Sequence, residues 1–164
     1  MPQMKWLMRE KQIEDCEVIW YNECVSVRLS KGGIALNTEI TPDELFFFDA
    51  DPGALPLYAL LKEKLLSLLP ETLIEVKRTQ ISFRNRYLFA AISFTPVRRK
   101  KDRPPHYLTV TFMLPSRVDS PRVDAAVEPY PQRWTHHVMI GSAEEIDDEL
   151  LNWLREAAAF AAIK

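Results

Sequence analysis

Two groups of residues in this chain could carry chemistry. The first is His136-His137, inside the run Trp134-Thr135-His136-His137-Val138-Met139-Ile140. An imidazole has an unperturbed pKa near ~6.5, which suits general acid–base work at neutral pH. Consecutive strand residues point to opposite faces, so the pair cannot chelate one metal ion together or serve as two members of one catalytic set. With Val138 and Ile140 phased inward, Trp134 and His136 also fall inward, and Thr135 and His137 outward. His137 is then the candidate general acid–base, and His136 a core imidazole. The second group is basic. Nine of the 21 Lys and Arg residues lie between Lys77 and Arg103, a window with one acid, Asp102. Guanidinium groups bind carboxylate or phosphate in bidentate fashion. Lys77, Arg84 and Arg86, in strands or turns, and Arg98, Arg99 and Lys101, in a loop cluster, form the candidate anion-binding set. The same side chains could instead pair with acidic helix ends or solvate a hairpin tip.

The rest of the chain offsets this window. Residues 1–76 carry seven basic and 13 acidic side chains, and residues 104–164 carry five and nine, so a net charge of −2 conceals an internal dipole. Clustered charge marks where anions are steered. Several function classes find no support. Gly-x-Ser-x-Gly, a phosphate loop and a dinucleotide fingerprint are absent, and four glycines could not build the latter two. Two cysteines and three histidines supply no zinc set of the usual spacing, so no metal or cofactor is expected. Glu75-Val76-Lys77 has the end of a nuclease signature but no upstream Asp in register. Tyr87, Phe89, Phe94, Tyr107 and Phe112 interleave with the basic stretch, yet they alternate as core residues would.

The elements that must position these residues follow from periodicity. Met4, Leu7 and Met8 suggest a helical stripe. Residues 16–29 read as two short strands around Tyr21-Asn22-Glu23, with a turn at Lys31-Gly32-Gly33 and a third strand at Ile34-Ala35-Leu36. Thr41-Pro42-Asp43-Glu44 is a helix start, with Thr as cap and Glu44 three residues on. Leu57, Leu60, Leu61, Leu65 and Leu68 predict one buried face of a second helix, stopped by Pro70. Strands follow at residues 73–77, 80–84, 87–94, 107–114 and 134–140, with a tight turn at Asn85-Arg86. Residues 115–133, with four prolines, read as loop. Ser142-Ala143-Glu144-Glu145 is a capping box, followed by acids suited to a helix N-terminus and an apolar face through Ala158. Short connections favour antiparallel pairing. The expected class is α+β: a single mostly antiparallel sheet with helices packed on one face.

From about residue 52 onward the chain resembles an uncharacterised bacterial family, domain of unknown function 5655. The resemblance rests on the proline-bounded helix with Leu57-Tyr58, Gln80-Ile81-Ser82-Phe83-Arg84, Phe89-Ala90-Ala91-Ile92 and Tyr107-Leu108-Thr109-Val110-Thr111-Phe112. It continues through Trp134-Thr135-His136-His137-Val138 and Ile146-Asp147-Asp148-Glu149-Leu150-Leu151. It implies a small α+β module with no established activity. Residues 1–45 lack the Cys-rich leader of many relatives and are expected to be a separate elaboration, short strands packed on the core of a 46–164 domain.

These readings converge on a binding or interaction module that recognises an anion through basic strands, either a small anionic ligand or a nucleic-acid backbone. An enzyme using His137 on an anionic substrate is the alternative from another class, and a structural homodimer the third. No apolar run approaches the roughly 20 residues of a membrane helix, and the two cysteines are expected to be reduced thiols, so no membrane partner and a cytoplasmic location are expected.

Overall fold

A computed structural model of the chain describes residues 39–163, together with the backbone of two strands before them. The chain divides into two units, Met1–Ala35 and Leu36–Lys164. In the first, β1 (Cys16–Tyr21) pairs antiparallel with β2 (Val25–Ser30), Tyr21 opposite Val25. The expected stripe at Met4, Leu7 and Met8, the turn at residues 31–33, the third strand at residues 34–36 and the state of the cysteine thiols lie outside the described residues.

The second unit is α+β. After α1 (Pro42–Phe47) and α2 (Leu55–Leu68) come β3 (Leu73–Val76), β4 (Ile81–Arg84), β5 (Leu88–Ser93), β6 (Leu108–Leu114), β7 (Ala125–Tyr130) and β8 (Arg133–Ile140), then α3 (Asp148–Ala162). The six strands form one antiparallel sheet in the order β3-β4-β5-β6-β8-β7. Period-two alternation decides its faces. Ile81, Phe83, Ile92, Val110, Phe112, Val138 and Ile140 point to one side and join Leu61, Leu65, Leu154 and Ala157 of the helices in one core. The other side carries a cross-strand row of smaller or polar residues, Glu75, Ser82, Ala91, Thr111 and His137. Ala157, Ala158 and Ala161 present small, buried side chains to the sheet. At the far end, Asn85 Nδ2 donates to the Ala158 carbonyl (2.9 Å), tying the β4–β5 turn to α3. Among the described residues no helix is long and apolar enough to cross a membrane.

Two boundaries depart from the sequence reading. Residues 125–130 form a strand, not loop, despite Pro129. Proline cannot donate a ladder hydrogen bond and is tolerated in edge strands or at bulges. Both conditions hold, because β7 is the sheet edge and its register shifts between Val127 and Tyr130. The hairpin closes at Pro131-Gln132, with Gln132 in the left-handed region at φ 60°, which fits a type II turn. The Ser142 capping box serves a short 3-10 turn, Ala143–Glu145, rather than α3. Helix α3 has its own cap, Asp147, whose carboxylate accepts from the Leu150 amide at 3.0 Å.

The Thr41 box forms as read: Glu44 accepts from the Thr41 amide at 2.7 Å. The same carboxylate then does something the sequence pattern did not indicate. It is buried with Lys62 and Tyr58 of α2, accepting from the Lys62 ammonium with both oxygens (2.9 Å each) and from the Tyr58 hydroxyl. Lys62 also donates to the Glu39 carbonyl (2.6 Å). Burial pushes the Glu44 carboxyl up, but the bonds from Tyr58, Thr41 and Lys62 prevail and hold it below its usual range. Burial and the adjacent carboxylate push the Tyr58 hydroxyl up. The buried face of α2 is accordingly turned toward Tyr58 and Lys62, while Leu60 is only half-buried and Leu68 is exposed.

Removing one partner of a buried ion pair strands the other charge. Lys62→Met is expected to cost about 3–5 kcal/mol, read as a shift in urea unfolding. Adding Glu44→Gln should recover part of that loss, because no stranded charge remains. Equal losses in the single and double variants would show that the charge is not the cause.

Candidate functional site

The basic cluster lies in the connection between β5 and β6, residues 94–107, and that connection is anchored at several points. Arg98 is the main one. Its Nε donates to Asp124 Oδ1 (2.6 Å), and its Nη2 donates to Asp124 Oδ2 and to the Met139 carbonyl (3.2 Å each). Asp124 in turn accepts from the Met139 amide (2.7 Å). The bond to Asp124 raises the Arg98 guanidinium above its ordinary value. Arg103 Nε donates to the Arg98 carbonyl (2.8 Å), closing the loop on itself around the 3-10 turn Lys100–Asp102. Tyr107 donates to the Phe94 carbonyl (3.1 Å) and Thr109 to the Thr95 carbonyl (2.6 Å). Phe94 stacks on Phe47, centroids 5.1 Å apart. Pro104 sits against Gly141, where an added Cβ would lie 2.2 Å from the proline ring.

These anchors leave Arg99, Lys100 and Lys101 exposed, with no ion pair among the described residues. Topology adds to them. The β3–β4 turn and the β5–β6 connection sit at the same end of the sheet, because β4 and β5 are adjacent and antiparallel. Arg78, exposed in that turn and also unpaired among the described residues, therefore lies at the same end of the sheet as the loop. Lys77 lies at this end too, but its ammonium is 3.7 Å from Glu75. Arg84 donates to the same Glu75 carboxylate (3.0 Å), which takes the place an anion would have between these cations. Arg86 lies at the opposite end, its guanidinium 5.4 Å over the Tyr87 ring. The six basic candidates are thus divided: Lys77, Arg98, Arg99 and Lys101 toward one end, Arg84 and Arg86 toward the other.

The histidines occupy three environments. His136 is fully buried, as its phase predicts, and stacks on Phe112 at 5.2 Å. Phe112 stacks on Trp153 (5.6 Å), and Arg122 lies 5.9 Å over Trp153. Arg122 also clamps the start of α3 through Asp147 (2.7 Å), Glu149 (3.0 Å) and the Glu145 carbonyl (2.6 Å). The Val118 amide donates to His136 Nε2 (2.9 Å), so segment 115–124 is strapped across this column. A ring nitrogen that accepts is unprotonated; the proton therefore sits on Nδ1, which has no hydrogen-bond partner. His137 faces the other side of the sheet, half-buried, with Nδ1 2.9 Å from Thr111 Oγ1. Arg84 is three strand spacings from it, about 14 Å across the sheet, so the strand cations and His137 do not form one concavity.

His106, which the sequence pattern did not single out, is the third. Its Nδ1 is 2.7 Å from Asp51 Oδ1, and that oxygen also accepts from the Gly53 amide (3.2 Å). Asp51 and His106 are 55 residues apart. Asp51-Pro52-Gly53 reads only as a turn, so the pairing exists only after folding.

Burial lowers both strand histidines. For His136 the Phe112 carbonyl opposes this, while His137 and Arg117 reinforce it. The unfolded chain binds these protons near 6.5 and the folded chain only at lower pH. Stability from these rings is therefore full above that value and falls as pH drops below it, by up to about 1.4 kcal/mol per pH unit per histidine. Urea unfolding at two pH values on either side of 6.5 should show this decline, and His136→Gln should reduce it. A wild-type midpoint that does not move would refute the neutral, buried ring.

No curated protein and no solved structure matches the chain. One family does, over residues 46–161, a span that takes in the whole six-stranded sheet, the basic loop and all three histidines. The chain belongs to the family described as Domain of unknown function (DUF5655).

Proposed function

We propose that this protein is a binding module for polyanions, and that the β5–β6 connection is its contact surface. The observation that carries the reading is the loop's division of labour. Arg98 and Arg103 hold its shape, while Arg99, Lys100 and Lys101 are exposed without an ion-pair partner among the described residues, and Arg78 lies at the same end of the sheet. A charged loop that only served solubility would have no need of a two-oxygen clamp on Asp124. Anchoring lowers the ordering entropy lost on binding, which is how preorganised sites gain affinity. Cations spaced along such a loop suit successive phosphates of a nucleic-acid backbone. Lys77, Arg84 and Arg86 contribute less in this reading, because Glu75 and Tyr87 already engage them. The enzyme reading through His137 has less support: its contact is Thr111, and no basic side chain among the described residues contacts it to hold an anionic substrate.

Fluorescence polarisation with labelled single- and double-stranded RNA and DNA tests this at two salt concentrations. Four phosphate contacts would weaken binding about 50–150-fold between 50 and 200 mM salt. Arg99→Glu/Lys101→Glu should abolish that binding with an unchanged unfolding midpoint, since neither residue is an anchor. Binding that ignores salt, or that survives the double variant, would count against the loop. No binding by the wild type at low salt would remove nucleic acid altogether.

A further inference from the structure

We propose that His106, oriented by Asp51, is a general base that cleaves single-stranded RNA held on the basic loop. The inference rests on the polyanion-binding reading above and adds a reaction to it. Its starting point is a pair that the fold makes no evident use of elsewhere. His106 is 55% exposed, yet its ring is held: Asp51, 23% exposed, engages Nδ1 at 2.7 Å and is itself fixed by the Gly53 amide. Gly53 leaves the space for the ring, because a Cβ there would stand 2.3 Å from Nδ1. A carboxylate on Nδ1 fixes the tautomer, placing the proton on Nδ1 and a lone pair on Nε2. Nε2 has no partner among the described residues, and the ring that carries it is more than half exposed. An imidazole aimed at solvent by a carboxylate behind it is the arrangement that general-base catalysis needs.

Its position gives it a substrate. His106 belongs to the same connection as Arg99, Lys100 and Lys101. It is five positions from Lys101, a reach of at most about 18 Å, inside the several-nucleotide footprint of single-strand binding surfaces. RNA also brings its own nucleophile. A single base is sufficient for strand cleavage if it removes the proton of a 2′-hydroxyl next to a bound phosphate, whereas DNA has no such group. In the step proposed, His106 Nε2 takes the 2′-hydroxyl proton as the 2′-oxygen bonds to phosphorus. The bond from phosphorus to the 5′-oxygen breaks, that oxygen takes a proton from water, and the protonated His106 gives its proton to the hydroxide left behind, restoring the base. The products are a 2′,3′-cyclic phosphate and a 5′-hydroxyl end. Arg99 and Lys101 offset the charge that builds on the non-bridging oxygens. His106 is the catalytic residue of this scheme and Asp51 a positioning residue.

The test uses the full chain, a chelator in the buffer, and two labelled oligonucleotides: one with a single ribonucleotide in a deoxy background, and its all-deoxy counterpart. The expected result is binding of both and cleavage of the first only, at the ribonucleotide, with a cyclic-phosphate end identified by mass. His106→Ala and His106→Gln should each lower turnover at least ~100-fold, and neither variant should change the unfolding midpoint materially. Gly53→Ala, which must push the ring aside, and Asp51→Asn should lower kcat with KM retained; a merely structural role for the pair would not split the two. Binding without cleavage, or cleavage that persists in both His106 variants, overturns this inference and leaves the binding module standing. Failure to bind either oligonucleotide overturns both.

Discussion

The pairing of Arg98 with Asp124 is the interaction on which the shape of the β5–β6 connection depends. It joins two segments that have no other reason to meet, the β5–β6 connection and the strap that leads into β7. It also completes the edge of β8, because Asp124 takes the Met139 amide and Arg98 the Met139 carbonyl just where β7 stops supplying partners. Hydrogen bonds between charged groups are worth more than neutral ones, on the order of 1.5–3 kcal/mol each, and a two-oxygen arrangement fixes direction as well as distance.

A second constraint runs through the core. Arg122, Trp153, Phe112 and His136 stack in a column from the start of α3 to the middle of β8. The column reconciles a polar ring with a fully buried position: the ring stacks on Phe112 and accepts from the Val118 amide. The same contacts fasten segment 115–124, so His136 acts as a fastener for the strap.

The cations of the 77–103 window separate by what surrounds them. Where the sheet supplies an acid nearby, as Glu75 does diagonally for Arg84 on the next strand and two residues along the chain for Lys77, the charge is spent locally. Where the chain leaves the sheet, acids are scarce, and the charge remains available. Arg78, Arg99, Lys100 and Lys101, which have no ion pair among the described residues, therefore lie at one end of the sheet, as do the proposed contact and the Asp51–His106 pair. Exposed pairs such as Arg84–Glu75 contribute little to stability, and their main effect is to offset two cations of the window locally.

Much of the fold was legible in the sequence. Alternation at Leu108, Val110, Phe112 and Leu114 and at His136, Val138 and Ile140 settles which faces are buried, since a period of two admits only one assignment per strand. The Thr41 cap, the Asn85-Arg86 turn and the α+β class follow from equally local signals. Strand β7 was not legible, because a proline is acceptable only on an edge, and which strand is the edge is a property of the whole sheet. Nor was the burial of Lys62, which requires Glu44 from a separate helix. The site divides the same way. Composition and charge order showed where the basic residues cluster along the chain. Only the tertiary structure decided which of those charges are neutralised by Glu75 and Asp124, and that His106 meets Asp51, because those partners are distant in the chain and become neighbours only when the sheet and helices pack.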